Sequence, residues 1–224
     1  MILYMIDISV SEGFKQICTT FAGAAVEASI TNTPSDERLW LEIDARVQAY
    51  RARYTVDSIK DMDAIRATRA AYRALGKDPS RYRPSSEALC RRVLRGMELY
   101  RVNTAVDLIN LVSMETGYSI GGFDADKIAG TNLVLGIGNE GEPYEGIGRG
   151  TLNIAHLPVY RDSVGGIGTP TSDNERTKIE LATTRVLLIV NSYGGDTPRE
   201  AADKLADLLV RYVSATGVAV RTFK

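Results

Sequence analysis

Apolar and polar positions divide the chain near residue 123: helical periodicity dominates before it, and short apolar runs between glycine-rich turns follow. An alternating run over residues 2–8 predicts an opening strand, residues 12–20 a short helix, and residues 24–30 a second strand. Pro34 and Ser35 announce a helix through DERLWLEIDARVQAYRARY; residues 56–75 predict another, closed by Gly76, and Pro84 and Glu87 stand in the first turn of the next. The runs NLVLGI, LNIAHLPVY and RVLLIVNS read as strands joined by tight connections. Thr197, Pro198 and Glu200 have the spacing of a capping box that opens an amphipathic helix, which Gly217 stops before a last strand at 218–223. The fold expected is α+β: one compact domain over residues 1–224, with a β-rich core, barrel-like or a mixed sheet, and several flanking helices.

One helix breaks the rule that buried helices are apolar. From residue 102 to Gly117 it is apolar on most sides, yet it carries Asn103, Asp107, Asn110 and Ser113. At 3.6 residues per turn, positions 103, 107, 110 and 114 share one seam, which faces either internal hydrogen-bond partners or a pocket.

Composition changes this picture little. With 44% apolar and 25% charged residues, a chain of 224 residues reads as an ordinary globular protein able to build its core without disulfides or metals. Cys18 and Cys90 stand far apart in apolar or helical surroundings, so they read as reduced structural thiols in a reducing, cytoplasmic compartment. The opening run lacks a basic leader and fits a strand, not a signal sequence, and no stretch is long enough to span a membrane. The net charge of −1 hides an asymmetry. Residues 51–101 hold eleven Arg and two Lys against four Asp and two Glu, an excess of seven positive charges. Such a stretch would steer a polyanion, making Arg66, Arg69, Arg73, Arg91 and Arg92 candidate RNA contacts; the same arginines would equally serve to solvate a helix face.

Candidate chemistry is sparse. GIGNEG at 136–141 has the spacing of a dinucleotide-binding turn, but Glu142 and Pro143 follow where a helix should begin, so it reads as a turn and no cofactor is implied. His156 is the only histidine, which leaves neither a metal cluster nor a serine-type triad. The loop GGIGTPTSDNERTK at 165–178 is richer, since glycines, hydroxyls, carboxylates and an arginine there could present several donors to one anion or carbonyl.

Three blocks, LGKDPSRYRPSSEALCRR at 75–92, RVNTAVDLINLVSMETGYSIGGFDADKI at 101–128 and GIGTPTSDNERTKI at 166–179, resemble the tRNA-editing domain of the phenylalanyl-tRNA synthetase beta subunit in a free-standing form. The similarity covers roughly residues 70–195. In the synthetase that domain hydrolyses tyrosine wrongly esterified to tRNA, in a pocket where the polar helix meets the glycine-rich loop. The resemblance matches Asn110 to the pocket asparagine, Asn103 and Asp107 to positions that fix helix and loop, and Gly165, Gly166 and Gly168 to the turn lining the pocket. Where the family has a histidine before F-D-A-D, this chain has Gly121, and Glu180 stands closer to Thr177 than the spacing of the family's phenol-recognising glutamate requires.

Three functions follow. The first is an aminoacyl-tRNA deacylase in which Asn110, loop amides and the hydroxyls of Ser172 or Thr177 position water, with Asp173 or Glu175 as general base and Arg176 and Glu180 at the substrate. The second is a module that binds an amino acid, an aminoacyl end or RNA without turnover. The third is a small-molecule-binding or interaction domain that has abandoned RNA. No ATP-cradling loop is present, so aminoacylation is not expected.

Overall fold

In the computed structural model, which describes residues 5–224, the chain begins β1 (Asp7–Val10), α1 (Glu12–Ile17), β2 (Ala22–Ser29), α2 (Glu37–Arg53), α3 (Asp63–Ala74), α4 (Ser85–Leu94) and α5 (Thr104–Thr116). It continues β3 (Ser119–Asp124), β4 (Asn132–Ile137), β5 (Glu145–Gly146), β6 (Gly150–Thr151), β7 (Pro158–Arg161), β8 (Gly166–Gly168), β9 (Arg185–Ser192), α6 (Arg199–Val213) and β10 (Thr216–Phe223). The first four residues of the expected strand at 2–8 include positions outside the described residues; pairing begins at Asp7.

Strand β9 explains the architecture. RVLLIVNS is apolar on both alternating faces because both are covered. Val186, Leu188 and Val190 pack with Ala24, Val26 and Ala28 of β2 against α2, α4, α5 and α6. Leu187 and Ile189 face the other way, onto Ile8, Leu133, Leu135, Tyr160 and Ile167 of a second sheet. The result is three layers: helices, an antiparallel sheet in the order β10-β2-β9-β3, and a sheet in the order β1-β4-β7-β8. The second sheet is mixed, because β1 runs parallel to β4 while β7 and β8 are antiparallel. Of the two expected cores the mixed sheet is found; among the described residues no sheet closes into a barrel.

Local chemistry moves several expected boundaries. The helix expected over 56–75 is broken, because Thr55 and Ser58 hydrogen-bond each other's amides through their hydroxyls. A 3₁₀ turn at Ser58–Asp61 then buries Ile59, and Met62 is extended before α3 begins. Pro84 occupies the cap of α4, not its first turn. Pro198 likewise takes the cap position of α6, so Thr197 and Glu200 fall out of capping-box register and no side chain caps that helix. Ser214, at φ 50°, ends α6, whereas Gly217, at φ 61°, lies in a β10 bulge between the pairs at Thr216 and Ala219. In the GIGNEG turn, a Cβ on Gly138 would lie 1.9 Å from the Ile154 carbonyl oxygen, so close backbone approach accounts for that glycine.

Candidate functional site

Helix α5 sits between the other helices and β3, so its polar residues must find partners or a cavity. Three of the four find partners. Asn103 caps the helix by accepting from the Val106 amide at 3.1 Å. Asp107 accepts from the Trp40 indole at 2.8 Å and the Val102 amide at 2.9 Å, and Ser113 donates to the Tyr118 carbonyl at 2.8 Å. The Asn110 side chain alone has no hydrogen-bond partner among the described residues, and it lines a cavity of about 530 Å³. That size suits a small-molecule ligand.

The cavity lies between α5, the edge strand β3 and the loop after β8. Val106, Ile109, Ile120 and Ile179 supply apolar walls, while Asn103, Asn110, Ser172, Asp173 and Glu180 bring five of the sequence-level candidates together. A serine/threonine turn shapes the loop: Thr169 Oγ1 accepts from the Thr171 and Ser172 amides at 3.2 and 3.1 Å. This turn presents Asp173, whose Oδ2 accepts from the Gly122 amide on the open edge of β3 at 3.0 Å. Asp173 is half-buried at the cavity wall, and loss of hydration pushes its carboxyl up to about 7, against the smaller downward pull of the Gly122 amide. No cation pairs with it among the described residues, so it is poised to exchange a proton near neutrality.

The remaining candidates lie behind or beside this wall. Glu175 accepts from Lys178 at 2.7 Å and the Gly148 amide at 3.1 Å, and Arg176 pairs with Asp162 at 2.9 Å. Thr177 is buried with its hydroxyl unpaired. Gly166 and Gly168 belong to β8, where added Cβ atoms would press on the Tyr144 ring at 3.0 Å and the Phe123 ring at 2.5 Å. Gly165 precedes that strand and lines no part of the cavity. At the rim, Lys127 pairs with Glu180 at 2.5 Å, and hydrogen bonding to that lysine lowers the Glu180 carboxyl.

Gly121 stands at the position that the sequence resemblance matches to a histidine. Its Cβ would lie 2.8 Å from Phe123, a buried ring already confined by Gly168 on another side, and 3.4 Å from Asp173. Gly121→His is therefore expected to cost about 1–3 kcal/mol of stability. A urea midpoint unchanged from the wild type would contradict this close packing.

The candidate RNA contacts separate into two groups. Arg69 and Arg91 hold the buried Glu87 carboxylate at 2.9 and 2.8 Å, and Arg92 is bound to the Glu98 carbonyl. Arg66 and Arg73 line a shallow groove of about 210 Å³ with Lys60. A larger concavity, about 1190 Å³ beside α3, is open and mostly self-satisfied: Tyr118 donates to Asp196, Arg66 pairs with Asp63, and Glu115 contacts Arg46 and Lys204. The unpaired asparagine and uncompensated carboxyl make the smaller cavity the stronger site.

The B3/4 domain family matches residues 67–212, a range containing α5, β3 and the Asp173 loop. The chain belongs to the B3/4 domain family. Among solved structures, this B3/4 chain is similar to an N-terminal fragment of the phenylalanyl-tRNA synthetase beta-subunit from Pyrococcus horikoshii, with 14% identity and a TM-score of 0.48. The match covers 96% of the B3/4 chain and 50% of that chain, so it spans half the length of the solved fragment. No curated protein matches.

Gly122, Thr169, Lys178 and Ile147 complete the B3/4 site although sequence reading did not single them out. Thr169 lay within the hydroxyl-rich loop and was legible by type. Ile147 was not, because the β5–β6 hairpin reaches the cavity through long-range bonds, including its amide to the Asp173 carbonyl at 3.0 Å.

Proposed function

We propose that this B3/4 domain associates with tRNA and hydrolyses the ester of a mischarged aminoacyl end in the α5–β3 cavity. The pairing of an unsatisfied Asn110 amide with a carboxyl held near 7 in one apolar-walled cavity carries this reading. Asp173 takes a proton from water as the water oxygen attacks the ester carbonyl; Asn110 donates to the developing oxyanion, and the proton passes to the departing ribose hydroxyl. The apolar walls hold the amino-acid side chain. Membership of the B3/4 family, together with the sequence blocks that resemble the synthetase editing domain, supports tRNA as the carrier.

The test is hydrolysis of tRNA charged with tyrosine and with other non-cognate amino acids. Rates no faster than buffer for every substrate would reject the reading. Asn110→Ala is expected to slow hydrolysis by about 10²-fold, the scale of one lost oxyanion donor. Its melting temperature should hardly move, since the side chain has no partner to lose. Gly121 in place of the family histidine favours one alternative, binding without turnover. A thermal shift with an amino acid or its ester, unaccompanied by hydrolysis, would select that alternative.

A further inference from the structure

The basic stretch 51–101 is interleaved with exposed apolar side chains at one place. The Arg92 guanidinium lies 3.9 Å from the Tyr100 ring centroid, while its Nε donates to the Glu98 carbonyl at 2.5 Å. Arg51, at the end of α2, donates to the Val93 and Met97 carbonyls at 3.0 and 3.2 Å. These two arginines brace residues 93–100 into a preorganised surface, which lowers the ordering cost of binding. Arg95 beside them has no side-chain ion pair or hydrogen bond among the described residues. Met97, Tyr100 and Val102 remain 42%, 53% and 55% exposed.

Position gives this surface its meaning. Val102 also belongs to the cavity wall, and it stands two steps along the chain from Tyr100, a span of at most about 7 Å. The braced surface therefore runs into the mouth of the site. Its residues 91–101 hold four arginines and a single acid, Glu98. Single-stranded nucleic acid is bound by this combination, since every base offers a ring face to an aromatic and guanidinium groups meet the phosphates. An acidic protein surface would meet the cations, but it would not account for a stacked, half-exposed ring beside an opening of amino-acid size.

We propose that Arg92, Arg95 and Tyr100 form a stacking platform for the unpaired nucleotides that deliver an ester to the cavity. The platform rests on the reading of that cavity as a site for RNA-borne esters. Fluorescence anisotropy with uncharged RNA tests it independently of hydrolysis, comparing a hairpin with an unpaired 3′ tail and the same hairpin without it. The wild type should prefer the tailed RNA. Tyr100→Ala should weaken that binding by about 5- to 150-fold, Tyr100→Phe should retain it, and Arg95→Glu should weaken both RNAs and flatten the salt dependence. Equal wild-type affinity for the two hairpins, or unchanged tail binding by Tyr100→Ala, would overturn the platform. Failure of the wild type to bind either RNA at low salt would also overturn it, leaving the surface to a protein partner. Tail-specific binding by a wild type that hydrolyses no charged tRNA would instead reject the hydrolase alone.

Discussion

Asp173→Asn is expected to make the protein more stable at pH 8 while removing the proposed hydrolytic activity. Burial holds the folded-state carboxyl near 7, above the usual range of an unfolded aspartate. Between those values the native state keeps a proton that the unfolded chain has released, so stability falls as pH rises from about 4 to about 7 and stays low above it. Three pKa units correspond to about 4 kcal/mol, an upper bound that contact with cavity water reduces to about 2–4 kcal/mol. An asparagine cannot ionise, and its side-chain oxygen can still accept from the Gly122 amide. Urea midpoints should thus show the variant gaining on the wild type between pH 5 and pH 8; a gap independent of pH would contradict a carboxyl held above its usual range with no cation beside it. Hydrolysis by the wild type should rise through about pH 7 as the base ionises, and the variant should lose about 10²- to 10⁴-fold. A variant retaining the wild-type rate and pH profile would exclude Asp173 as the base. Stability given up for reactivity is a common feature of active sites.

The second large effect is expected at a residue remote from the chemistry. Glu87 is fully buried in α4, with Arg69 Nη1 at 2.9 Å, Arg91 Nε at 2.8 Å and Arg83 Nε at 3.7 Å. Its carboxylate ties α3 to α4, and α4 contributes Ser85 and Leu89 to the cavity wall. Glu87→Ala would leave guanidinium groups crowded together without their counter-charge, a change that costs about 3–5 kcal/mol when a buried pair is broken. For a chain of this size the melting temperature should fall by about 6–20 °C. Glu87→Gln keeps the shape and one acceptor and should fall less. Equal melting temperatures for Glu87→Ala and the wild type would mean that the arginines are solvated where they stand.

Periodicity made the helices and the division into α-rich and β-rich parts legible, because burial of one helix face or two sheet faces leaves a direct trace in the order of residues. Which polar side chain of α5 remained free was not legible. Trp40 claims Asp107 from 67 positions away, and Tyr118 claims Ser113 from five, so Asn110 is distinguished only when both contacts exist. Asp173 was visible as an acid in a polar loop, but its raised pKa depends on the loss of hydration that only the folded surroundings impose. The basic stretch likewise looked uniform in sequence. Folding commits Arg69 and Arg91 to a buried carboxylate and leaves Arg95 in solvent, a distinction that charge counting cannot make.

The central sheet also dictates an order of assembly. Helices α3 to α5 can collapse through contacts near in sequence, but β2 pairs with β9 from Ala22↔Ser192 to Ser29↔Arg185. Closing a loop of that length carries its entropic cost before any pairing compensates it, so this step is slow relative to local helix formation. Among the described residues β9 is the one strand that pairs with β3, and Asp173 reaches its Gly122 partner only once β3 is in place. During biosynthesis the Asp173 carboxyl is therefore expected to stay solvated and ordinary until β9 has emerged and paired, and the cavity matures as a single late event.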